Sequence, residues 1–160
     1  MKKIVFMDEK QNKLKKNIGK ENISHRDQQV LINKLYLEND EKDEKIKPMV
    51  QLLKTKHNSY KAQDKKNKIY GENFFITFDE LILKLVESKL ICFYCKKPCY
   101  ICYNYAYEDS QWTLERNDNN LGHTNSNTII SCLKCNLERK NLSREKFIET
   151  KKIKCIRKLE

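Results

Sequence analysis

The sequence predicts an α+β fold: a small strand–loop–strand–helix core, pinned by a four-cysteine metal site and flanked by helices on both sides. Three observations predict it. "QWTLERND" (111–118) alternates as a strand, "TIIS" (128–131) is a β-branched apolar second strand, and turn-forming "NNLGHTNSN" separates them. Cys-x-x-Cys pairs stand before and after this segment, at Cys92/Cys95 and Cys132/Cys135. Helical periodicity occupies the sequence on either side.

The chain has 160 residues, enough for one compact domain and an extension. Only 39% of residues are hydrophobic and 34% are charged, so the core is small. Small cores are commonly reinforced by disulfides or a structural metal. The seven cysteines are an odd number, and no apolar leader or membrane-length run is apparent. We therefore expect an intracellular, reducing compartment (cytoplasm or nucleus), no membrane partner, and thiols that ligate metal. A net charge of +11 points to a polyanionic partner, nucleic acid first, because Lys and Arg neutralising phosphate supply most non-specific affinity. An AT-rich genome also inflates lysine, so charge alone does not decide.

Residues 1–46 read as a basic, partly mobile arm followed by a charged linker, interrupted by a short helix candidate at 28–37 with Leu31 and Leu35 one turn apart. The domain proper is expected over 47–160. Its helical lead, 47–90, opens at Pro48 with Val50, Leu53 and His57 at helical spacing and lysines on the other faces. Gly71 breaks that helix. Thr77 and Glu80 have capping-box spacing before an apolar helix to about Leu90, with Leu81, Leu83, Leu85 and Val86 as core. The strand–loop–strand–helix core spans 91–142. A basic helix, 143–160, follows Ser143 with Phe147 and Ile148 inward.

Two cysteines two residues apart on a tight knuckle reach one ion, and two knuckles complete a tetrahedral Zn²⁺ site. Cys92, Cys95, Cys132 and Cys135 are the expected ligands. Cys99 and Cys102 have the same spacing and are rivals for the first pair, and Cys155 stands alone on the last helix.

"LERNDNNLGHTNSNTIISCLKCNLERKN" resembles the HNH, or ββα-metal, endonucleases, closest to the zinc-bound branch akin to the endonuclease VII group of phages and large DNA viruses. The resemblance covers about 91–142. It implies a metal-dependent endonuclease hydrolysing DNA phosphodiester bonds, with structural zinc and a catalytic Mg²⁺ or Mn²⁺ between the first strand and the helix. By resemblance Glu115 and Asn136 are the catalytic-metal ligands and Asn127 braces the loop. Arg116 departs from the pattern, standing where the first His of the motif normally sits. Arg139 and Lys140 would contact phosphates.

Hydrolysis needs activated water and a cation for the developing phosphate charge, which a hard ion in oxygen ligands supplies. Arginine stays protonated, so Arg116 suits a phosphate clamp and not a base. His123, alone among the histidines in lying between the two strands, is the expected proton acceptor. The alternative is a non-catalytic, zinc-stabilised nucleic-acid-binding module. DNA, duplex or branched, is the expected partner, with RNA also open and a second copy of the chain a further candidate.

Overall fold

A computed structural model describes residues 23–104 and 107–156. Among these, five helices and one two-stranded antiparallel sheet run in the order α1 (His25–Glu38), α2 (Lys47–Lys66), α3 (Phe78–Glu87), β1 (Trp112–Arg116), β2 (Thr128–Cys132), α4 (Leu133–Arg139) and α5 (Arg144–Ile156). The α+β class is thus observed, with helices on both sides of the hairpin. Most of the stretch expected as a mobile arm, 1–22, lies outside the described residues.

Helix α1 starts where Ser24 accepts a hydrogen bond from the Asp27 amide, and ends at Asn39 in the left-handed region, whose N–H returns to the Leu35 carbonyl. Its Gln28, Ile32 and Leu35 lie on one face and are buried, largely against α3. The Gln28 amide also grips the chain far away, accepting from the Ile101 and Cys102 N–H groups at 2.8 and 2.9 Å. The expected linker to residue 46 is likewise part of the body. Asp40 and Asp43 close turns on the Lys42 and Lys45 amides, Lys34 pairs with Asp43 at 2.6 Å, and Ile46 is fully buried. Charge composition concealed this, because a single apolar residue anchors the turn.

Helix α2 begins with Pro48 in its first turn and buries Met49, Val50 and Leu53 on one stripe. Helix α3 has the full capping box: the Thr77 hydroxyl takes the Glu80 N–H and Glu80 takes the Thr77 N–H at 2.8 Å. It buries Leu81, Ile82 and Leu85, while Leu83 is only half-buried. It stops at Glu87, short of Leu90, because Lys89 and Leu90 turn into the left-handed region.

Strands β1 and β2 pair with Trp112 opposite Cys132 and Arg116 opposite Thr128. Both faces of β1 are covered. Trp112 and Leu114 face the helical core, where the Tyr60 hydroxyl on α2 accepts the Leu114 N–H at 3.0 Å. Thr113 and Glu115 face the other way, into the seam with α4, and are buried too. Helix α5 docks through Phe147, edge-on to Tyr94. No helix among the described residues is long and apolar enough to cross a membrane.

Candidate functional site

The chain brings Cys92, Cys95, Cys132 and Cys135 together, their sulfurs all within 4.8 Å of one another. Residues 90–99 fold back on themselves: the Lys96 N–H bonds the Cys92 carbonyl, the Cys92 N–H bonds the Lys97 carbonyl, and Lys96 takes positive φ. The Phe93 N–H joins this knuckle to the Ile130 carbonyl of β2. On the other side Cys132 caps α4, its thiol accepting the Cys135 N–H at 3.4 Å. The Cys95 and Cys132 sulfurs stand 3.8 Å apart. Zinc bonded at about 2.3 Å to four thiolates sets neighbouring sulfurs about 3.8 Å apart, so the donor set fits such an ion.

The rival pair is not in this cluster. Cys99 is fully buried, and burial raises the Cys102 pKa to about 11. The side chain of Cys155 lies outside the described residues.

Glu115, the expected catalytic-metal ligand, is 2% exposed and fully engaged. Oε1 takes the Nε–H of Arg139 and faces the Tyr94 hydroxyl, and Oε2 accepts from Ser131 Oγ at 2.7 Å. Asn136 on α4 donates to Thr113 Oγ1 at 3.1 Å, and Thr113 Oγ1 meets Ser131 Oγ at 2.9 Å. Glu115 and Asn136 thus end in one seam, at opposite ends of a polar chain that runs Glu115, Ser131, Thr113, Asn136. A hard cation needs oxygens free to point at it. Here the carboxylate is already satisfied by a guanidinium and a hydroxyl, so the residues in this arrangement do not fit Mg²⁺ or Mn²⁺.

Arg139, expected as a non-specific phosphate contact, is 3% exposed. Beyond Glu115 its guanidinium donates to the Leu142 and Arg116 carbonyls and to Asn119 Oδ1. Lys140, next in sequence, is exposed. Sequence spacing alone could not separate these two, because α4 ends between them.

His123, expected in a flexible turn, is 2% exposed. Its Nδ1 lies 2.6 Å from Asp64 Oδ1 and its N–H donates to Asp64 Oδ2 at 2.6 Å. The Tyr60 ring tilts against it, 4.8 Å between centroids. Burial holds its pKa below the ordinary value, outweighing the Asp64 carboxylate, which acts the other way. Its role here is to fasten the hairpin loop to α2, and a buried ring has no path to a phosphate on the surface. Gly122 lets the loop approach so closely: a Cβ there would sit 2.7 Å from the Ile69 carbonyl oxygen and 2.9 Å from Asp64 Oδ2. Asn127 braces the same loop, donating to the Asp118 and Gly122 carbonyls and accepting the Asp118 N–H. Arg116 is half-exposed and donates to the Asn119 and Leu121 carbonyls.

Sequence reasoning missed Asp64, Tyr60, Tyr94 and Lys56. Lys56 donates to the Trp112 carbonyl and lies 4.8 Å over its ring; burial lowers its pKa to about 7. Asp64 carried a faint signal as the one acid within an otherwise cationic turn. No family model, curated protein or solved structure matches the chain.

Proposed function

We propose that this protein is a zinc-stabilised, ββα-type nucleic-acid-binding module. The observation that carries the choice of binding over cleavage is the buried Glu115–Arg139 pair, which occupies the carboxylate a catalytic metal would need. Nucleic acid as the partner is supported by the charge of +11 and by its placement. On α2, Lys61, Lys65 and Lys66 share the last two turns with Asp64, whose carboxylate is buried and paired, so the exposed charge there is cationic. Zinc in the thiolate cluster supplies folding energy, not chemistry, in this reading.

The metal-dependent endonuclease is the second reading. In its favour, β1, β2 and α4 follow in ββα order, and Glu115 and Asn136 reach one seam from strand and helix. It requires Arg139 to leave Glu115 when substrate binds. Two measurements test the pair of readings together: fluorescence anisotropy on labelled DNA, and plasmid nicking in Mg²⁺ or Mn²⁺ against EDTA. Salt-dependent binding without nicking is the expected result. Nicking that EDTA abolishes and Glu115→Gln removes would replace the first reading by the second.

A further inference from the structure

One surface combines the cationic turns of α2 with aromatic faces. Lys61 and Lys65 stand over the Tyr70 ring, 5.4 and 5.1 Å from its centroid. Beside Tyr70, Phe74 folds back on Gly71, where a Cβ would meet its ring at 3.0 Å, yet the side chain is 74% exposed. The hairpin loop borders the same surface, because Gly122 abuts the Ile69 carbonyl. Leu121, next to Gly122 in that loop, is exposed, and its carbonyl accepts from Arg116. Asp64 on α2 is 1% exposed and turned inward to His123, which leaves Glu72, in the turn between Tyr70 and Phe74, as the exposed acid bordering this surface.

Resting on the nucleic-acid reading above, we propose that this surface binds an unpaired stretch of nucleic acid, one base stacking on Phe74 while Lys61, Lys65 and Arg116 neutralise the backbone. Cations alone would suit any nucleic acid. The protruding ring selects single strands, because in a duplex each base face is already covered by its neighbours. Either sugar satisfies this chemistry, so oligothymidine and oligouridine arms identify which strand is held.

The test is anisotropy of labelled 15-nucleotide oligothymidine and oligouridine, and of a 15-base-pair duplex, with full-length zinc-loaded protein. Single strand should bind more tightly than duplex. Phe74→Ala should weaken single-strand binding roughly 5- to 150-fold with little change in salt dependence, and Phe74→Trp should restore it. Lys61→Gln with Lys65→Gln should instead flatten the slope of log affinity against log salt by about 0.7 per lost contact. Phe74 is exposed, so melting and zinc content of its variants should match the parent. Duplex binding as tight as single strand, or Phe74→Ala binding single strand like the parent, overturns this inference and leaves the general reading standing. Binding of no oligonucleotide even at low salt removes the nucleic-acid reading itself, and this inference with it.

Discussion

Replacing Glu115 by alanine tests what the seam is for. The carboxylate is 2% exposed and the Arg139 side chain opposite is nearly as buried, so truncation strands a guanidinium away from water. Removing one partner of a buried pair costs about 3–5 kcal/mol, because the remaining charge keeps its desolvation penalty. Two further groups lose a partner, Ser131 Oγ and the Tyr94 hydroxyl, which places the cost toward the upper end. Three carbonyl and amide acceptors still hold the guanidinium, which limits it. For a chain of this size about 2–4 °C of melting temperature goes with each kcal/mol, so Glu115→Ala should melt roughly 6–20 °C lower. The assay is thermal unfolding by circular dichroism at fixed free zinc, since zinc release is linked to unfolding. The double variant Glu115→Leu/Arg139→Met should recover much of the loss, because two apolar groups leave no orphaned charge. Melting of Glu115→Ala within about 1 kcal/mol of the parent would refute this reasoning, because a buried guanidinium stranded without its carboxylate cannot be so cheap.

Zinc analysis should find one ion per chain, lost in Cys92→Ser and Cys135→Ser but retained in Cys99→Ser and Cys102→Ser, and chelation should unfold the hairpin region by circular dichroism. His123 should make stability fall in mild acid. Its pKa is below the ordinary value of about 6.5 in the folded chain, so below that pH the unfolded chain takes up more protons. Its contribution is present above about pH 6.5 and is lost as pH falls below it; urea titrations should show a parent-minus-His123→Gln difference with that slope, and a flat difference would count against it. Gly122→Ala should cost about 1–3 kcal/mol by driving the loop off the Ile69 carbonyl, measurable as a lower urea midpoint with unchanged zinc content.

The sequence by itself determined the parts whose signals are local. The capping box at Thr77 and Glu80, the two strands around a turn-rich loop, and the helical flanks are written in residues within a few positions of one another. The Cys-x-x-Cys knuckles were legible too, since ligand spacing on a knuckle is a short-range constraint, whereas the fold decided that Cys92/Cys95 and not Cys99/Cys102 meets Cys132/Cys135. Tertiary structure alone decided what those elements enclose. Whether Glu115 faces solvent or a guanidinium depends on how α4 returns against β1, and whether His123 is a free turn residue depends on Asp64, which is remote in sequence. The same holds for Ile46, the one apolar residue in a charged stretch, which is nonetheless fully buried in the core. A side chain's chemistry can be read from its identity; its exposure and partners come from chain segments that meet only on folding, and in a small core those partners decide whether a carboxylate binds metal or holds the fold together.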